Sequence, residues 1–341
     1  MSDHVDLSVV VCTFNGASRI GVCLAALEAQ SIRSRIEIIV VDDGSSDATT
    51  QVVAGYDVRL VRHPVNRGLS AARNTGVAHA RGDIVAFTDD DCLAPPEWSS
   101  QLLDAWAKVG PSVVGVGGLV RPATLDTMNR RYMEFRGSLA PIPLGLDATT
   151  GFSQRVAIYA SGRGHVDSGS EDCFVSSFVG ANMSFRIEAL RAEGGFDENR
   201  RFGGDETYVC DRLREHFGDE SLWCVTSIVM DHEFAAGFTD TWRRSFAYGR
   251  GLGRNQVTDG GIPSFQPLGV LGLVGVPALL VLPVATVATL VVVPSVLQRR
   301  AFGGSSEHRY ERLSYPWLVV LEEVAINLGL VIGWVRARWA T

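Results

Sequence analysis

The sequence predicts an α/β protein in two parts: a mostly parallel sheet with flanking helices over residues 1–255, and a membrane-associated segment over 256–341. Three observations carry that expectation. From residue 7 to 118, short β-rich apolar runs alternate with stretches of helical periodicity, the pattern of repeated strand–helix units. Two of the apolar runs end directly in aspartates, Asp42-Asp43 and Asp89-Asp90-Asp91, so a parallel sheet would bring both acidic groups to one edge. The apolar surplus behind a mean hydropathy of +0.12 is concentrated toward the C-terminal end.

The elements follow in order. Leu7–Cys12 is a strand, and Ser18–Gln30 carries Ile20, Leu24 and Leu27 at helical spacing. Ile36–Val41 is the second strand, and Gly44-Ser45-Ser46-Asp47 turns into a short helix that ends near Ala54. Val58–Arg62 reads as strand and Leu69–Ala80 as an Ala-rich helix closed by Gly82. After the strand 84–88, Pro96 suits the first turn of a helix bearing Trp98, Leu102, Leu103 and Trp106. Val113–Val116 is the next strand. Ligands of such sheets bind at the carboxyl ends of the strands.

Residues 121–177 are less regular, with Pro141, Pro143 and a Gly/Ser-rich stretch over 161–170. They form either an acceptor-side excursion or a surface insertion. Order returns at Phe178–Phe185, with helices near 187–193 and from about Glu206 to His216. The stretch Leu268–Val296 holds 29 residues without a charge. As a helix rising ~1.5 Å per residue it exceeds the ~30 Å hydrocarbon core, so it is expected to cross a membrane, kinked at Pro277, Pro283 and Pro294. Tyr315–Val335 is apolar except for Glu322, Glu323 and Asn327. Adjacent glutamates are costly at mid-bilayer, so this stretch either spans or lies at the interface.

A net charge of −7 argues against an electrostatic grip on nucleic acid. The six cysteines show no CxxC spacing and no matching histidine pairs, and read as reduced thiols of a cytosolic compartment. The first residues, Met1-Ser-Asp-His-Val-Asp, lack the basic and apolar segments of a secretion signal.

Carboxylates clustered at the ends of buried strands repel one another and are costly to desolvate, which makes sense beside a divalent cation. Asp89 and Asp91 lie on one side of an extended chain and could reach a single ion. The first loop, Thr13-Phe14-Asn15-Gly16, is not the G-x-G-x-x-G of a dinucleotide site, and no P-loop lysine motif is present. What remains is a crevice lined by Asn15, Asp43, Arg67, Arg73 and aspartates 89–91. Carboxylates together with arginines suit a metal-bound diphosphate.

Four stretches carry a resemblance: Leu7–Asn15, Val41-Asp-Asp-Gly-Ser-Ser-Asp47, Asn66-Arg-Gly-Leu-Ser-Ala-Ala-Arg-Asn74 and Gly82–Asp91. With Gly180-Ala-Asn182, Gly194-Gly-Phe-Asp197 and Asp205-Glu206 in the same order, the chain resembles family 2 glycosyltransferases over roughly residues 7–232. The resemblance implies a GT-A fold, a Rossmann-like mostly parallel sheet. It also implies a nucleotide-sugar donor and transfer with inversion to a hydroxyl of a glycan or lipid-linked acceptor, as in cell-envelope or exopolysaccharide synthesis.

By motif position, Thr13, Asn15, Asp43, Arg67, Arg73, Asp89 and Asp90 are donor-side residues, Asp43 reaching the base and Asp90 the least direct. Asp89 and Asp91 would hold Mg²⁺ or Mn²⁺, with His232 either a third ligand or a structural residue. Asn182 is placed on the acceptor side. The base is Glu206 or Asp205, whose alternative use is an acidic cap on a helix N-terminus. Trp242-Arg243-Arg244 and Tyr248-Gly-Arg250 could grip a diphosphate or form a basic collar at a membrane. Nucleotide sugars are cytosolic, so the expected location is the cell membrane with the catalytic domain on the cytoplasmic face. The rivals are a sugar nucleotidyltransferase, which would want a lysine-bearing triphosphate loop, and a non-catalytic membrane scaffold with a nucleotide-binding fold.

Overall fold

The computed structural model describes residues 5–137, 139–145, 170–200, 203–278, 283–297 and 308–340, with 153, 156, 157 and 166 besides. The described residues form two compact units. One is built from the chain up to Thr124 with Leu139–Leu144 and His165–Glu233; the other takes Leu125–Ser138 and the chain from Phe234 onward.

The first unit is an α/β sheet. Its strands are β1 (Leu7–Thr13), β2 (Ile36–Asp42), β3 (Arg59–Arg62), β4 (Ile84–Asp89), β5 (Cys92–Leu93), β6 (Gly115–Pro122), β7 (Ile142–Pro143), β8 (Cys173–Ser177), β9 (Met183–Arg186) and β10 (Leu222–His232). They lie in the order β3-β2-β1-β4-β9-β6-β10-β8-β7, with β5 paired to β10. Pairing is parallel from β3 to β4 and between β6 and β10, and antiparallel where β9 inserts between β4 and β6. The parallel character expected from strand–helix alternation thus belongs to β3, β2, β1 and β4 and to the β6–β10 pair. Short β9 has no crossover helix before it, so it pairs antiparallel.

Both faces of the sheet are covered, and each carries a core. Helices α1 (Ile20–Glu28), α2 (Thr49–Val53) and α4 (Trp98–Lys108) meet Val9, Val11, Ile38 and Val40 on one side. On the other, α3 (Leu69–His79), α6 (Ile187–Ala192) and α7 (Asp205–Phe217) meet Val10, Ile39, Val85 and Phe87. Every residue of β2 is buried, which is why its pattern is a continuous apolar run rather than an alternation. Of its two buried carboxylates, Glu37 at the amino end of the strand is satisfied by the Ser8 hydroxyl and by the backbone N–H and guanidinium of Arg81, and Asp42 ends the run.

The second unit is helical among its described residues: α5 (Met128–Arg136), α8 (Phe238–Thr258), α9 (Pro267–Ala278), α10 (Pro283–Leu297), α11 (Arg309–Arg312) and α12 (Tyr315–Ala340). Helices α8 and α12 cross through glycines on both sides. Gly249 and Gly253 lie against the carbonyls of Ile326 and Leu330, while Gly329 and Gly333 lie against those of Phe246 and Arg250. Paired small-xxx-small stretches allow backbones to approach this closely.

Glu322, Glu323 and Asn327 of α12 are buried. Glu322 accepts from the Tyr132 hydroxyl at 2.6 Å and the Ser245 hydroxyl at 3.2 Å, with the Arg136 guanidinium 3.4 Å away. Glu323 accepts the N–H groups of Leu268 and Gly269 at the start of α9, an N-terminal cap supplied from another helix. Asn327 exchanges two hydrogen bonds with the Gln266 backbone.

The stretch expected to cross a membrane, 268–296, is described in part. That stretch forms α9, of 12 residues, and α10, of 15; residues 279–282 lie outside the described ones. Among the described residues one helix is long and apolar enough to cross a membrane, Tyr315–Trp339.

Candidate active site

The parallel register brings the acidic strand ends together. Thr13 on β1 pairs with Asp42 on β2, and Cys12 pairs with Asp89 on β4. Immediately beyond these pairs the chain must leave the sheet, and the side chains there divide into those that build loops and those that stay open.

Four of the predicted donor-side residues, Thr13, Asn15, Asp43 and Asp90, are committed to the loops. Asp90 is buried: its carboxylate accepts from the Thr13 hydroxyl at 2.5 Å and from Arg19 Nε at 2.6 Å. Gly16 packs beside that pair, where a Cβ would overlap both Thr13 and Asp90. Asp43 is also buried. It accepts the backbone N–H groups of Arg67 and Gly68, each at 2.8 Å, and bonds His63 Nδ1 at 2.7 Å. Asn15, with a left-handed φ of 50°, caps the Ser46 N–H through its side-chain oxygen. The expected contact of Asp43 with a nucleobase meets a carboxylate already occupied by the turn that leads into α3.

The residue assigned to the acceptor side is corrected as well. Asn182 is 1% exposed, accepts from Trp98 Nε1 at 2.9 Å, and donates to the carbonyls of Leu119 and Ile228. It ties β6, β9, β10 and α4 together in the core instead of facing the crevice.

Arg73 occupies the centre. It projects from α3, is 3% exposed, and donates to Asp205 in the first turn of α7. The same guanidinium lies 3.9 Å from Glu206 and 3.9 Å from Asp89, and stacks over the Phe196 ring at 5.4 Å. Gly180 makes room for it, since a Cβ there would overlap the guanidinium. Asn74, one residue on, holds the Phe196 backbone by both N–H and carbonyl. The Asn66–Asn74, Gly180–Asn182 and Gly194–Asp197 stretches therefore form one device around Arg73.

The two candidate bases differ. Asp205 is 1% exposed and ion-paired to Arg73; Glu206 is 24% exposed. Burial, then the neighbouring Asp205 charge, pushes the Glu206 carboxyl up to about 8, and Arg73 opposes the rise. Arg67 turns away from the centre to pair with Glu198 at 3.0 Å.

On the other side, β5 pairs antiparallel with the end of β10, placing Cys92 opposite His232. His232 Nε2 lies 3.2 Å from Asp91. One donor atom each from Asp91, Cys92 and His232 fall within 4.8 Å of one another. Carboxylate, imidazole and thiol are all metal-ligating types, so the donor set fits a divalent cation. Asp89 stands toward Arg73 and is 35% exposed. Residues that sequence reasoning missed are Arg19, His63 and Cys92. Position 92, directly after the aspartate triplet, was the available signal.

Residues 8–178 match the model of glycosyl transferase family 2, half of the 341-residue chain. The chain belongs to that family.

Its relatives include a glucosyl-dolichyl phosphate glucuronosyltransferase of Haloferax volcanii, 29% identical over 229 residues, 64% of this chain and 66% of the relative. Another is a pre-mycofactocin glycosyltransferase of Mycobacterium tuberculosis, 29% identical over 62% of this chain and 40% of the relative. The chain thus spans about two-thirds or less of the length of these relatives. Among solved structures, a mannosyltransferase from Pyrobaculum calidifontis in complex with GDP-Man and Mn²⁺ superposes with a TM-score of 0.54. It is 19% identical, over 100% of this chain and 89% of that one, and shares the fold. In this family 2 glycosyltransferase the acidic crevice at the carboxyl ends of β1, β2 and β4 is the candidate active site.

Proposed function

We propose that this family 2 glycosyltransferase carries out metal-dependent, inverting transfer of a sugar from a nucleotide-sugar donor to a hydroxyl of a glycan or lipid-linked acceptor. The observation that carries the reading is Arg73, whose guanidinium lies within 4 Å of acidic groups from both halves of the crevice, Asp89 on β4 and Asp205 and Glu206 on α7. Inversion needs a single base facing the donor. Glu206 fills that role: it is partly open to the crevice and its carboxyl is held near neutral range. Asp205, spent on Arg73, orients the guanidinium instead.

A divalent cation at Asp91 and His232 would neutralise charge on the departing nucleoside diphosphate. Arg73, buried among Asp89, Asp205 and Glu206, holds these acidic groups together at the crevice. Glu206 takes the proton of the attacking hydroxyl as the new bond forms. Thr13, Asp90 and Asp43 act through the loops they hold, by keeping the strand ends in register around the donor.

The lipid-linked acceptor and membrane association rest on the second unit and on the relative whose name includes dolichyl phosphate. Val274, Val291, Val292, Leu321, Leu328 and Val335 are exposed apolar side chains of α9, α10 and α12, a surface suited to lipid. The catalytic unit would face the cytoplasm, where nucleotide sugars are made. The test is a panel of UDP-, GDP- and dTDP-sugars with the detergent-purified protein, with Mn²⁺ present or chelated. Metal-dependent turnover of one donor is expected; its absence with every donor would overturn the reading.

A further inference from the structure

We infer that Cys92 makes the metal pocket a three-ligand site for soft or borderline divalent ions, Zn²⁺ or Cd²⁺, bound by Asp91, Cys92 and His232. The inference rests on the metal reading above and extends it to a ligand that the aspartate motif does not include.

Residues directly opposite across an antiparallel pair present their side chains on the same face. Cys92 and His232 are such a pair, on β5 and β10. The Asp91 carboxylate closes the third side at 3.2 Å from His232 Nε2, and all three donor atoms lie within 4.8 Å. Zinc bonds of about 2.0 to 2.3 Å in a tetrahedron place donor atoms roughly 3.3 to 3.8 Å apart. A side-chain adjustment of about 1 Å therefore closes the set. Asp91 is partly exposed while His232 is buried, which gives an ion a way in past the carboxylate. Three protein ligands leave a fourth position for an oxygen of solvent or substrate, as in open zinc sites.

The thiol decides between ions. Mg²⁺ and Mn²⁺ prefer oxygen and gain little from sulfur, so with them Cys92 remains a buried thiol. Zn²⁺ and Cd²⁺ gain a sulfur bond: the S–H bond breaks, a metal–sulfur bond forms, and the proton leaves to solvent. The site then holds soft ions in competition with hard ones.

The experiment uses the full chain in detergent. Cd²⁺ is titrated while the ultraviolet charge-transfer band of cadmium–thiolate is followed, and Zn²⁺ is titrated against bound Mn²⁺ while the electron paramagnetic resonance of released Mn²⁺ is read. Wild type should give a saturating band at one equivalent and release Mn²⁺ to Zn²⁺. Cys92→Ser should lose the band and weaken Zn²⁺ by roughly 10- to 100-fold, with Mn²⁺ binding retained. Cys23→Ser, altering a neighbouring buried thiol that bonds the Asp89 carbonyl, should keep the band. A wild-type protein without the band, or Cys92→Ser with the band intact, would overturn the inference. Sugar transfer that proceeds without any cadmium–thiolate band sinks this inference alone. A band on Cys92 without transfer sinks only the proposed activity.

Discussion

Arg73 and Asp205 form an ion pair with side chains 3% and 1% exposed, joining α3 to the first turn of α7. Neither charge reaches water, so each depends on the other. Breaking such a pair leaves an uncompensated buried charge, at a cost of about 3–5 kcal/mol. Arg73→Gln should destabilise the protein by about that much in chemical denaturation. The double change with Asp205→Asn should recover most of it. A double-variant loss equal to the sum of the two single losses would show that the pair contributes no coupling.

Glu206→Gln should leave the fold intact and lower turnover by on the order of 10²–10⁴-fold, the usual worth of a positioned general base. If Asp205→Asn lost as much activity without loss of stability, the base assignment would move to Asp205.

The raised Glu206 carboxyl fixes the sign of two pH effects. Turnover should climb as pH rises through about 8, where the free enzyme's carboxyl becomes ionised. Folding stability runs the other way. A group raised from 4.5 to about 8 contributes stability that is fully present below 4.5 and lost as pH rises through about 8. Glu206→Gln should flatten that part of the stability profile, read as Tm against pH.

Asp91→Asn removes the carboxylate that faces His232. Mn²⁺ affinity, measured by calorimetry, should fall by at least roughly tenfold. Asp90→Asn should act differently, lowering Tm by loosening Thr13 and Arg19 while the metal ligands remain in place.

In the helical unit, Gly253→Val puts branched carbons where the Leu330 carbonyl now sits. Overpacking of this kind costs about 1–3 kcal/mol or more. A lower midpoint of thermal unfolding is expected, and an unchanged midpoint would mean that α8 and α12 separate readily.

The sheet and the position of the crevice were legible because they depend on local pattern. Apolar runs such as Ile36–Val41 and Ile84–Phe87 end in aspartate, and register in a parallel sheet aligns those ends. The division of labour among the aspartates was not legible. Asp90 meets Thr13 from 77 positions away, and Asp43 is filled by the turn at Arg67 and Gly68. Asn182 likewise resembles a site residue in one dimension, yet its partners Trp98, Leu119 and Ile228 come from three separate elements. Glu322 and Glu323 looked costly for a membrane helix because Tyr132, nearly two hundred residues earlier, cannot be paired with them by periodicity.

The cap that Glu323 places on α9 has a consequence for the order in which the chain becomes complete. The ribosome makes the N–H groups of Leu268 and Gly269 and the Tyr132 hydroxyl before it makes the helix that accepts from them. Until Tyr315–Ala340 emerges, the earlier helices are a set of donors waiting for acceptors. A stop codon just ahead of Tyr315 would therefore remove more than an apolar tail, leaving the helical unit without the carboxylates around which it closes.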